Sequence, residues 1–397
     1  MSFDLWKKVR LGEIADIVMG QSPESKYYNN TGQGLPFLQG NRTFGYKYPT
    51  FDTYCTNGKK FAKPNDVLLS VRAPVGDLNI SKAHICIGRG LASLCMKNGN
   101  TEYLFYLLRA NIEELISQES GTVYGSINRN DINNFNVLVI DSDEKQREIS
   151  HILSTLDDKI ELNRQTNATL EAIAQAIFKE WFVDFNYPGA TGEMIESELG
   201  LIPKRWKVGN LGDVGEFKNG INYSRDETGD HAYSIVNVRN IVGNRFIFYS
   251  DLDKVDINAK KAAPYKLSVQ DIIIARSASP GVAAILYEPT DDTIFSGFTI
   301  RYRIHLNEHV MFLFLLFQTM KEKLANLANG TTLKSINQVS LKSVQIVIPE
   351  KETLEEFSAI VRAIYDKFFQ NQQESELLRH IRDLLLPELM SNGLKLR

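Results

Sequence analysis

From about residue 144 the chain takes up a helical rhythm. Ile149, Leu153, Leu156, Ile160, Asn163, Asn167, Leu170, Ala174, Ile177 and Trp181 step by alternating fours and threes. That spacing keeps one stripe on one face of a helix, here over about 37 residues, or roughly 55 Å at 1.5 Å per residue. A second stripe begins near residue 352 and runs through Phe357, Val361, Ile364, Phe368, Asn371, Ser375, Leu378, Leu385 and Leu389, with Arg382 breaking it and Pro387 near its end. Two matched stripes in one chain predict that they bury each other in a coiled coil. Packing of each helix on its own globule is the alternative. Asn163 and Asn371 hold equivalent places mid-stripe, where buried asparagines cost stability but fix register. Antiparallel pairing is preferred because it gives twofold symmetry and sets a globule at each end of a rod.

The segment before each long helix reads differently. Runs such as 66–71 and 271–275, bounded by Gly, Pro and Asn, indicate mixed or mainly β domains with long loops, each interrupted by one amphipathic helix, over 102–118 and 308–326. Turn chemistry at 186–192 marks the boundary between the halves.

The halves repeat. Trp6-Lys7, Leu11-Gly12-Glu13 and Gly20 recur in a 200-residue register as Trp206-Lys207, Leu211-Gly212-Asp213 and Gly220. Gly121-Thr122 and Ser126-Ile127-Asn128 return as Gly330-Thr331 and Ser335-Ile336-Asn337, and Asp158-Lys159 and Asn163 return as Asp366-Lys367 and Asn371. A pseudo-twofold chain suits a twofold object. The worst-matched stretches, 39–51 and 236–248, are where two different recognition tasks are expected.

The net charge of -3 conceals a division along the repeat. Residues 1–145 carry +1 and 200–350 carry +3, whereas 146–199 carry -6 and the tail from 351 carries -1. The globules are mildly basic, which permits phosphate contact without requiring it. Three cysteines without a CxxC pair support neither a disulfide framework nor a thiolate zinc site. The longest apolar run, 310–317, is too short to span a bilayer, and MSFDLWKKVR lacks a signal-peptide core, so a cytoplasmic protein without membrane contact is expected.

Catalytic signatures are missing from the sequence. No glycine-rich turn for a methyl donor, no paired-proline loop for a flipped adenine and no nucleotide phosphate loop occurs. His305-Leu306-Asn307-Glu308-His309 matches a zinc-protease pattern, but it straddles a helix start and its counterpart in the first half holds no histidine, so no metal site is expected. What remains is recognition chemistry. Arginine and asparagine make bidentate bonds to guanine and adenine edges, which singles out Asn41, Arg42 and Lys47 in the first half and Asn237, Arg239 and Asn240 in the second. Arg72 and Arg276 follow equivalent strand runs into Pro-containing loops. Asn128 with Arg129, and the copy preceded by Lys334, offer backbone amides and a cation to phosphate. The cluster Phe178, Trp181, Phe182 and Phe185 either seals the first helix onto a globule or docks a partner.

These residues resemble the specificity (S) subunits of type I restriction-modification systems. The most specific element is residues 197–206, Ser-Glu-Leu-Gly-Leu-Ile-Pro-Lys-Arg-Trp, supported by the two Gly-Thr to Ser-Ile segments and by the helix ending in residues 178–185. The resemblance covers essentially the whole chain. It implies an α+β fold, with two pseudo-twofold-related mixed α/β target-recognition domains (1–145 and 206–350) joined by two long antiparallel helices (146–185 and 351–390) forming a coiled coil, and a linker at 186–205. It also implies a non-catalytic reader of a bipartite, asymmetric site in double-stranded DNA. Two methylation (M) subunits and two restriction (R) subunits are the implied partners. S-adenosylmethionine, ATP and Mg would be held in those partners, with no cofactor in this chain. From the residues alone, a scaffold that spaces two protein-binding modules and touches no DNA stays open.

Overall fold

The computed structural model describes residues 6–117, 125–224, 228–288, 291–328 and 335–391. It forms two compact units, residues 1–167 with 369–397, and residues 168–368. This division does not follow the sequence halves. The first long helix, Asp143–Phe182, and the second, Lys351–Met390, hold 40 residues each. Each begins in one unit and ends in the other, so each unit contains a stretch of both.

In the first unit, strand Trp6–Arg10 pairs antiparallel with Asn136–Ile140, closing the start of the globule on its end. The main sheet runs Ala15–Met19, Leu91–Met96, Val67–Ser70, Leu78–Ile80, all antiparallel. Alternation along Val67–Ser70 lets one strand serve two cores, because successive side chains leave a sheet on opposite faces. Val67 and Leu69 join the helix Thr101–Ala110 in the large core, while Leu68 packs with Leu38, Ile85 and Ile87 on the other face. The second unit repeats the plan. Lys207–Asn210 pairs with Gln345–Ile348, and the sheet runs Gly215–Asn219, Thr299–Ile304, Ile272–Ala275, Ala283–Leu286, with Phe246–Ile247 added parallel at its edge.

The shared sequence motifs are the fasteners of this plan. Leu11 and Leu211 are fully buried, and their amides donate to the carbonyls of Phe135 and Val344 at 2.8 and 2.9 Å. Glu13 and Asp213 accept from the backbone amides of Arg10 and Asn210, closing the same small turn twice. Gly20 and Gly220 sit where a Cβ would lie 2.1 Å from the carbonyl oxygens of Gly88 and Ser296, so a side chain there would collide with backbone.

The long helices pair antiparallel within each unit. In the first, Ile149 and Leu153 share a core with Leu386, Leu389 and Met390, and further along Asp157 meets Arg382 and Asn163 meets Asn371. In the second, Phe178 and Trp181 contact Phe357. The buried stripe differs in detail from the predicted one. Asp157 and Phe178 are buried where Leu156 and Ile177 were expected, and Tyr365 and Phe369 where Ile364 and Phe368 were expected. An α-helix drifts about 20° per heptad against a 3.5-residue repeat, and here the helices also pack on globules, which widens the stripe.

Arg382 does not break the seam; it belongs to it. Its Nη1 donates to Asp157 Oδ1 at 2.6 Å, and both side chains are almost wholly buried. The Tyr46 hydroxyl donates to the same oxygen at 2.6 Å, the Tyr106 hydroxyl donates to Oδ2 at 2.9 Å, and Arg109 approaches at 3.4 Å. Arg382 also contacts the Tyr46 hydroxyl and bonds Asp383. Burial first and the Asp157 charge second push the Tyr46 and Tyr106 hydroxyls well above the ordinary tyrosine range, so both stay protonated donors.

Removing one partner of such a pair strands the other charge, at a cost of about 3–5 kcal/mol. Arg382→Met should lower the urea-unfolding free energy by that amount. Arg382→Met combined with Asp157→Asn should recover much of it, and a double variant costing the full sum of the singles would show that the pair is not coupled.

Candidate nucleic-acid interface

The segments that match worst between the halves occupy equivalent places in the two units. In the first, strand Leu35–Leu38 runs parallel to Ile85–Ile87 and antiparallel to Tyr54–Cys55, and the Gly88 amide donates to the Leu38 carbonyl at 2.8 Å. In the second, His231–Val236 runs parallel to Thr293–Phe295 and antiparallel to Asp253–Ile257, and the Ser296 amide donates to the Val236 carbonyl at 3.0 Å. Each strand then enters a single short helical turn, Asn41–Thr43 or Val238–Ile241.

These turns present the two arginines. Arg42 leaves the first turn with its side chain 73% exposed, and its Nη2 donates to both oxygens of Asp52 at 2.8 Å. The guanidinium and the Thr53 hydroxyl hold the Asp52 carboxyl below the usual carboxylate range, so this ion pair persists through the neutral range. Arg239, 63% exposed, pairs through its Nη2 with one oxygen of Asp253. Asn41 donates to Asp77, and Asn237 reaches Asp253 at 3.4 Å. None of these acidic partners was picked out from the sequence, since Asp52 and Asp253 lie 10 and 14 residues from their arginines and only strand pairing unites them.

Three expectations need correction. Lys47 is 1% exposed; its ammonium bonds Asp158 at 2.7 Å and Glu102 at 3.2 Å, so it anchors the recognition segment to the first long helix and does not face a groove. Asn240 is buried, accepting the Asn237 amide and donating to the Asp251 carbonyl, both at 2.8 Å, which makes it part of the turn. Asn128 caps the helix Arg129–Asn134, accepting the amides of Asn130 and Asp131 at 2.8 and 3.1 Å. The amides proposed for phosphate are therefore already bonded.

The other candidates are scattered. Arg129 is exposed beside its cap, and Arg72 is exposed while its backbone bridges Ser126. Arg276 is half-buried, folded onto the Gly297 carbonyl at 3.3 Å, and its own carbonyl accepts the Ile336 amide at 3.0 Å. Lys334 and the two Gly-Thr pairs lie outside the described residues. His309 is buried, and that burial lowers its pKa, whereas His305 is exposed. Among the described residues no three potential ligands converge on a metal position, and no helix is long and apolar enough to cross a membrane.

Asn163 and Asn371 meet in the seam. The Asn163 amide donates to Glu374 at 2.8 Å, Ser375 at 3.2 Å and the Asn371 carbonyl at 3.3 Å, and Asn371 donates to Asn167 at 2.9 Å. Sliding one helix past the other would unmake all four bonds at once.

The aromatic cluster turns inward. Phe178 and Trp181 are buried, Phe182 lies 4.7 Å from both Phe312 and Phe357, and Phe185 lies 5.5 Å from Trp206, ring centre to ring centre. The side chains named for partner docking thus seal the helix end onto the second unit. Trp181→Ala should cost about 3–5 kcal/mol of unfolding free energy. An unchanged unfolding curve together with lost partner co-purification would restore the docking role.

Comparison with known proteins follows the same duplicated plan. The family described as the type I restriction modification DNA specificity domain matches twice, over residues 4–172 and 203–379. The specificity subunit of the type I restriction enzyme MjaIX from Methanocaldococcus jannaschii is 27% identical over 98% of this chain and 94% of its own length. The HindI specificity subunit from Haemophilus influenzae is 22% identical over 97% of this chain and 99% of its own. The crystal structure of a type I restriction-modification S subunit from M. genitalium superposes with a TM-score of 0.66, at 14% identity, over 98% of this chain and 96% of that one.

Proposed function

Because the chain belongs to the type I restriction-modification DNA specificity family, we propose that its two units read the two different words of a bipartite DNA site and that the long helices set the gap between them. A specificity subunit is the address reader and not the catalyst. Methylation (M) and restriction (R) subunits, two of each, would join it in the cytoplasm and supply the S-adenosylmethionine, ATP and Mg chemistry. Membership of both halves in a DNA specificity family leaves the non-DNA scaffold without support.

One observation carries this reading: the framework is built twice with the same strand pairings at its centre, while the segments at 39–51 and 236–248, carried on equivalent strands, differ. A shared framework presents both segments in the same manner. Different side chains then select different bases, so the two words should be dissimilar. Exposed cationic side chains elsewhere on the first unit, Arg72 and Arg129 among them, would hold the phosphate backbone in register without carrying sequence information.

The ruler follows from the helices. Each is continuous from one unit into the other, and a helix rises ~1.5 Å per residue, so one added heptad lengthens it by about 10 Å, close to 3 base pairs. Inserting one heptad at matching levels of both helices should lengthen the gap by roughly that amount while leaving both words unchanged, as read by methylome sequencing of a host carrying the chain and its methylation partner. Altered words with an unaltered gap would contradict the ruler. Binding of the assembled complex to duplex DNA should also weaken linearly in log affinity against log salt, as release of phosphate counterions requires; salt-independent binding would count against DNA as the ligand.

A further inference from the structure

We propose that Arg42 and Arg239 are equivalent specificity-determining residues, each reading a guanine in its own half of the site, and that Asp52 and Asp253 are their positioning residues. The assignment rests on the DNA reading above and adds to it which side chain reads what.

The pairs cannot be found by aligning the two halves, because the segments that contain them do not match. The folds align them instead. Arg42 lies four residues beyond Leu38 and Arg239 three beyond Val236, the two residues whose carbonyls accept the equivalent amides of Gly88 and Ser296. Asp253 opens the antiparallel strand beside His231–Val236, and Asp52 stands two residues before the antiparallel strand beside Leu35–Leu38. The same ion pair is thus built twice, at the same corner of the same plan, from unrelated local sequence.

An exposed ion pair contributes little to stability, about 0–1 kcal/mol, so fold stability alone gives no reason for the repetition. What the aspartate does supply is direction. Arg42 donates to Asp52 only through Nη2, and Arg239 to Asp253 likewise, while Nη1 and Nε have no hydrogen-bond partner among the described residues. Every two-donor edge of a guanidinium includes Nη2, which carries two hydrogens; with one taken by the carboxylate, the other and its neighbour on Nη1 or Nε make a planar fork that matches the O6 and N7 acceptors on the major-groove edge of guanine. Holding a long side chain in one orientation before binding removes ordering entropy from the recognition step.

The test uses the full chain with its methylation partner, acting on a DNA library randomised across both words. Arg42→Ala should relax a single guanine position in one word by roughly 10–100-fold and leave the other word intact, and Arg239→Ala should do the same in the other word. Arg42→Lys, which keeps the charge but loses the fork, should relax that same position. Asp52→Asn should produce a smaller relaxation at that position with an unchanged unfolding midpoint. Uniformly weaker methylation with both words unchanged, rescued by Arg42→Lys, would make Arg42 a phosphate contact and overturn the assignment while leaving the DNA reading standing. A wild-type complex that yields no two-part site would overturn the DNA reading itself.

Discussion

A buried charge pair, Asp157 with Arg382, fixes the rest of the first unit. Hydrophobic residues of similar size would pack such a seam at no greater cost, so the pair is poorly explained as a source of stability. Its value lies in specificity. Asp157 comes from the first long helix, Arg382 from the second, Tyr46 from the recognition segment and Tyr106 from the globule's own helix, and one carboxylate satisfies all of them. No other level of one helix against the other brings these four together. The recognition segment is therefore tied to a defined point on both helices.

The asparagine bonds further along the seam act in the same sense. Asn163, Asn167, Asn371 and Ser375 are buried polar groups whose hydrogen bonds are made only in one register. Apolar contacts would tolerate a slip of one turn, whereas these bonds would not. In the second unit the recognition segment packs an aromatic ring on the second helix: Phe246 lies 5.1 Å from Tyr365 and 4.9 Å from Phe368, ring centre to ring centre. Behind it burial raises the pKa of Glu171, an effect opposed by nearby Arg245. The two units thus share a framework but fasten their divergent segments to the helices by different chemistry.

Much of this was legible in the sequence because it rests on local periodicity and on repetition. The two long helices and the asparagines of the seam follow from spacing of threes and fours, and the antiparallel pairing from the twofold symmetry of the repeat. The repeated Leu-Gly-acid motif could be seen, and the structure supplies its reason in a turn closed by the acid and a glycine pressed against backbone. What stayed hidden depends on contacts distant in the chain. Arg382 looked like a flaw in a stripe because its counter-charge lies 225 residues away. Lys47 looked like a groove contact because nothing local shows that Asp158 and Glu102 enclose it. Asn128 and Asn240 have the side chains of base readers and also of turn formers, and only the backbone geometry decides between the two. The aromatic cluster had two roles open to it, and its packing on Trp206, brought close by the fold, supports the sealing one.

The central claim is that one chain carries two separate words and one fixed gap. Methylome sequencing of a host expressing the unmodified chain with its methylation partner tests it most directly. The account predicts a single modified motif of two dissimilar words divided by unspecified base pairs of constant number. One continuous motif, two identical words, or a gap that varies from site to site would contradict it.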